Sequence, residues 1–87
     1  MKMIILILKD SDSDPVTQAL TSADYRVTRV ASTGGFLRSG IATLLLGLDD
    51  NRVDSAIGLI REKLGKASPN EKRATLFVVP VERFEQV

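Results

Sequence analysis

Asp10-Ser11-Asp12-Ser13-Asp14 sets three carboxylates at alternate positions, the opening half of a calcium loop of the D-x-D-x-D-G kind. The sixth position of that loop is Pro15, where a sharp turn needs Gly, and the twelfth is Thr21, where a bidentate Glu should close the coordination sphere. The run reads better as a helix start. Asp14 can accept the unsatisfied amide hydrogens of a first turn, and Pro15 at the first helical position has no amide to lose. Gly35 and Gly40 have the spacing of a phosphate-binding loop, but Ile41 and Ala42 stand where Lys and Ser or Thr would hold phosphate and magnesium. The segment that follows also reads as a strand rather than a helix, so nucleotide hydrolysis by that route is excluded. With no His and no Cys, the chain also excludes thiol catalysis, Ser-His-Asp chemistry, haem ligation by His, zinc sites and disulfides. Carboxylates, Lys, Arg, hydroxyls and backbone amides remain. That inventory suits binding better than catalysis, and it calls for no cofactor or metal.

These groups must be positioned by a small set of elements. Met3 to Leu8 is a continuous apolar run, read as a strand buried on both faces. Val16, Ala19, Leu20 and Ala23 follow at i, i+3, i+4 and i+7, which predicts a helix over 15–24. Residues 25–32 are β-branched, aromatic and studded with Arg, and fit a sheet edge, where charge discourages pairing with other chains. Ile41 to Leu48 is a second apolar run and another central strand. Asp49-Asp50-Asn51 caps a helix whose stripe is Val53, Ala56, Ile57, Ile60 and Leu64, and Gly65 stops it. A polar loop covers 66–72, and a last strand covers 73–81, ending near Pro80 as suits an edge. The order βαββαβ, with the two apolar strands central and both helices on one face, predicts a ferredoxin-like α+β fold with an antiparallel four-stranded sheet.

The 87 residues make one domain, 1–87, with no linker, internal repeat or low-complexity stretch. Twelve basic against eleven acidic residues leave a formal charge of +1, which argues against a nucleic-acid binder. Neither apolar run is long enough for a membrane span or for the core of a signal peptide, so a soluble cytoplasmic protein is expected. A chain this small buries only about 60% of its unfolded surface, and without disulfides or metal the remaining aid is association. The helices cover one face of the sheet. The other, too apolar to stay wet, predicts an oligomer.

The segment Thr33-Gly34-Gly35-Phe36-Leu37-Arg38-Ser39-Gly40 spends about eight residues where a plain hairpin needs two to five. Its glycines let backbone amides converge on an anion, Arg38 adds charge, and Phe36 offers a face to an aromatic ring. The plain alternative is a long hairpin whose Phe36 and Leu37 pack on a neighbour. Together with Tyr25 to Ser32 before it, this string resembles the central signature of the PII-like cyclic di-AMP receptor family, relatives in fold of the nitrogen-regulatory PII proteins. Met1-Lys2-Met3-Ile4-Ile5, Leu46-Gly47-Leu48-Asp49-Asp50 and Phe77-Val78-Val79-Pro80-Val81-Glu82-Arg83-Phe84-Glu85-Gln86 extend the match over nearly the whole chain.

The resemblance implies a non-enzymatic signal-transduction protein, a homotrimer holding cyclic di-AMP in the clefts between subunits. The family's ligand contacts fall on Arg26, Thr28, Gly35, Phe36, Leu37, Gly47, Phe77 and Gln86. Arg26 and Thr28, two apart, share one face of a strand and can meet a phosphate or base edge together. Gly35, Phe36 and Leu37 offer amides and apolar cover for adenine, and Gly47 lets a flat ring approach the third strand. Taken alone, Phe77 reads as core and Gln86 as a solvated tail residue. Two positions depart from the family pattern: Ile41 stands where an Asn usually bonds adenine, and the family's long loop before the last strand shrinks to 66–72. These departures favour a second reading, a trimeric scaffold that no longer binds cyclic di-AMP and acts through protein contacts. A third, a small hydrolase of the acylphosphatase kind, meets Asp10, Asp12 and Asp14 where its anion loop should lie. A downstream protein partner is implied, of unknown identity.

Overall fold

The computed structural model describes residues 1–30, 40–65 and 73–87. In chain order they form β1 (Lys2–Lys9), α1 (Asp10–Ser22), β2 (Val27–Val30), β3 (Ile41–Leu48), a 3-10 turn (Asp50–Arg52), α2 (Val53–Leu64) and β4 (Ala74–Pro80). The four strands make one antiparallel sheet in the order β2-β3-β1-β4, the ferredoxin-like arrangement. The two most apolar strands are central, as expected.

Register assigns every strand residue to a face. β1 pairs with β3 from Lys2↔Leu48 to Lys9↔Ile41, and with β4 from Lys2↔Pro80 to Leu8↔Ala74. Ile4, Leu6, Leu8, Ala42, Leu44, Leu46 and Leu48 point toward the helices and are buried. They meet Val16 and Leu20 of α1 and Ala56, Ile60 and Leu64 of α2. The alternate residues Met3, Ile5, Ile7, Ile41, Thr43 and Leu45 lie on the opposite face and are only half-buried. The reading of these runs as buried on both faces thus holds for one face of the single chain.

The start of α1 differs from the sequence expectation. The helix begins at Asp10, five residues ahead of Pro15, and no side chain caps it. Its first amide, Asp10, instead donates to the carbonyl of Gly40 at 2.7 Å, so the neighbouring strand's end does the capping. Ser13 is fully buried and turns its hydroxyl back on the Asp10 carbonyl at 2.9 Å. Pro15 therefore lies inside the helix near its start, where the missing amide costs one backbone bond. The second helix likewise begins after a 3-10 turn at Asp50–Arg52, and Asp49 makes no side-chain cap bond.

The helix ends are more specific. α1 closes in a Schellman motif without glycine: the Tyr25 amide donates to Leu20 O and the Asp24 amide to Thr21 O, both at 3.0 Å, with Asp24 at φ +72°. Tyr25 and Leu20 are both buried beneath it. Gly65 ends α2 as predicted, at φ +72° and ψ −173°, a region essentially reserved for glycine.

Two stability outcomes follow. Leu44→Ala, at a fully buried central position, should lower unfolding free energy by about 2–5 kcal/mol in a denaturant titration. Gly65→Ala should cost about 1–3 kcal/mol through backbone strain alone, because open space surrounds the position a Cβ would take.

Candidate functional site

The open face of the sheet carries four described members of the expected site, Arg26, Thr28, Gly47 and Phe77. Thr28 opposes Leu45, and so projects away from the helices. Arg26 lies one residue before the first paired residue of β2, on the same face as Thr28 and beside Gly47. Arg26, Gly47, Tyr25, Arg52 and Met1 line one small cavity of about 220 Å³. A Cβ built on Gly47 would come within 3.2 Å of the Met1 Cε methyl, so the flat approach offered by the glycine is covered by a flexible thioether end.

Arg26 makes no ion pair among the described residues, unlike several neighbours. Arg29, three positions on, faces the helices and pairs with Asp10, and with Asp14 at 3.4 Å. Arg73 reaches Asp12 at 3.6 Å. The three aspartates that resemble a calcium loop are thus helical residues taken up by two arginines. The charge on β2 that reads as protection of an edge is, at Arg29, an anchor to α1. Among the described residues no group of three or more carboxylates could hold a metal ion. Asp50 accepts from the Met1 amino group at 3.0 Å; that hydrogen bond, with the amino group's charge and Lys2, holds its carboxyl below the usual range. This pair is in place above the ordinary carboxylate range and is lost as pH falls through the lowered value.

Phe77 is not core. It is 52% exposed and opposes Ile5 on the open face of β4. Thr28, Leu45, Ile5 and Phe77 form one row across the four strands. At the usual strand spacing, three steps along that row separate Thr28 from Phe77 by about 14 Å. One chain therefore brings Arg26, Thr28 and Gly47 together at one edge and holds Phe77 at the other. Gln86 is exposed in the segment after β4. Gly35, Phe36 and Leu37 lie outside the described residues. Ile41 opens β3 on the open face, opposite Lys9.

Sequence reasoning missed Tyr25 and Arg52 as a pair. The Arg52 guanidinium lies 4.0 Å over the Tyr25 ring and donates to the carbonyls of Ala23 at 3.1 Å and Asp24 at 3.4 Å. The Tyr25 hydroxyl donates to the Arg52 carbonyl at 3.5 Å. Because they are 27 positions apart, no local pattern could have disclosed the contact.

No helix among the described residues is long and apolar enough to cross a membrane. The fold is similar to a crystal structure of a functionally unknown protein from Pediococcus pentosaceus ATCC 25745, with a TM-score of 0.76 and 28% sequence identity, covering 99% of this chain and 96% of the other. Residues 1–69 match the family model described as cyclic-di-AMP receptor. The chain belongs to the cyclic-di-AMP receptor family.

Proposed function

We propose that this chain is a non-enzymatic signal-transduction protein whose homotrimer binds cyclic di-AMP, or a related adenine nucleotide, in clefts between subunits. The observation that carries this reading is the split of the expected contacts between opposite sheet edges. Arg26, Thr28 and Gly47 sit at the β2–β3 edge, and Phe77 at the β4 edge. A site built from both edges needs a second copy, whose β4 side meets the β2 side of the first. Repeating such a head-to-tail contact closes a ring. The half-buried apolar residues Met3, Ile5, Ile7 and Leu45 between the two edges supply a surface such a ring would cover. Arg26 brings a guanidinium with no ion pair among the described residues, suited to phosphate, and Phe77 an exposed ring suited to adenine.

The scaffold reading draws on Ile41. An apolar side chain on the open face cannot return the hydrogen bond that an amide gives to an adenine edge, and an unpaired buried base edge costs about 1–3 kcal/mol. Arg26 weighs the other way, since it makes no ion pair among the described residues and a scaffold has no evident use for such a charge beside a glycine.

Light scattering at micromolar concentration should return three times the mass of the 9.5 kDa chain; a monomer would remove both readings. Arg26→Ala and Phe77→Ala should each weaken cyclic di-AMP binding in calorimetry while leaving the trimer intact, since both side chains are exposed. Because the site is shared, refolding the two variants together should restore binding in about a quarter of the clefts, those pairing an intact Arg26 with an intact Phe77. No recovery in the mixture would place the site within one subunit. Ile41→Asn should tighten cyclic di-AMP about fivefold, the worth of one neutral hydrogen bond. A scaffold without ligand would gain nothing from that change.

A further inference from the structure

We propose that Arg52, in the turn before α2, is a positioning residue for the nucleotide site and acts through Arg26. The inference rests on the cyclic di-AMP reading above and adds a residue to it.

Arg26 is a single residue between two anchors. On its C-terminal side, Val27 begins the pairing of β2 with β3 opposite Leu46. On its N-terminal side, the chain emerges from the Schellman turn of α1, where Asp24 holds a left-handed backbone that a non-glycine residue adopts at a cost. Nothing basic occupies the last turn of α1 to meet its exposed carbonyls and the negative end of its dipole. Arg52 supplies that charge from a separate element. Its two terminal nitrogens reach the Ala23 and Asp24 carbonyls, its plane lies on the Tyr25 ring, and its own carbonyl receives the Tyr25 hydroxyl. Every residue of the turn from Ala23 to Tyr25 is thus touched by one side chain.

The guanidinium of Arg52 is spent on these contacts, while that of Arg26 makes no ion pair among the described residues. Both line the same cavity beside Gly47. Arg52 fixes the backbone, and Arg26 remains available for an anion. Fixing the backbone on either side of a binding arginine removes ordering entropy that the ligand would otherwise have to supply. Lysine cannot substitute, because a single ammonium cannot bridge two carbonyls and lie flat on the ring as well.

The test is calorimetric titration of cyclic di-AMP into wild type, Arg52→Ala, Arg26→Ala and the double variant. Arg52→Ala should weaken binding about five- to tenfold with the oligomer unchanged. In the Arg26→Ala background the same change should have little further effect, because the group it positions is gone. An equal loss in both backgrounds, or no loss in either, would overturn the proposal. Arg52→Lys should behave as Arg52→Ala does, and it carries the comparison if the alanine variant does not fold. Should wild type bind no cyclic di-AMP, the proposed function falls, and amide hydrogen exchange decides the positioning claim separately. Exchange at Asp24 and Tyr25, whose amides close the braced turn, should then accelerate about tenfold in Arg52→Ala relative to the β3 amides. Unchanged exchange there would refute it.

Discussion

The antiparallel pairing of β1 with β3 is the constraint on which the rest depends. Side chains alternate along a strand with a period of two, so a slip of one residue would carry Ile4, Leu6, Leu8, Leu44 and Leu46 to the open face together. The same slip would turn Ile5, Ile7 and Leu45 onto the helices. The cost of exposing five fully or nearly fully buried side chains holds the register. Register in turn sends Thr28 and Phe77 to the open face, and Arg29 to the helices. The geometry of the candidate site is therefore a consequence of core packing.

Among the described residues, both ends of α1 are met by arginine side chains. Asp10 and Asp14 meet Arg29, Asp12 meets Arg73, and the carbonyls at the end of α1 meet Arg52. The pairs of Arg29 are substantially exposed, and each such pair contributes little net stability. Their effect is geometric, since they tie β2, which has only four residues, to α1. On the open face Arg26, beside a glycine, has no such partner among the described residues. A charge left uncommitted next to apolar surface is costly to bury alone and is accommodated best by an incoming anion.

Much of this fold was legible because it rests on patterns with a short period. The bounds of β3, the glycine stop of α2 and the central placement of the two apolar strands all follow from apolarity and one special backbone position. The start of α1 did not follow. Asp14 and Pro15 form a strong local helix-start signal, but the Gly40 carbonyl supplies the first bond of the helix from 30 residues away, and the helix gains a turn. Phe77 misleads for a related reason. An aromatic in an apolar edge strand reads as core, yet its parity in the register with Ile5 puts it on the uncovered side.

Arg26 and Arg29 show where sequence reading reaches its limit. Both lie in one short basic segment and look interchangeable. Three positions apart, they must point to opposite faces, and each face gives its arginine a different task. Parity alone is available from the sequence. Which parity faces the helices depends on Val27 opposing Leu46, a contact across 19 residues and a glycine-rich connection. The identity of the bracing residue lies further still, because Arg52 sits in a turn whose local chemistry is that of a helix start. Here its side chain meets the Ala23 and Asp24 carbonyls at the end of α1, and the residue that follows the braced turn is Arg26 of the candidate site. The proposed coupling between core helix and open face therefore passes through one side chain that belongs to neither.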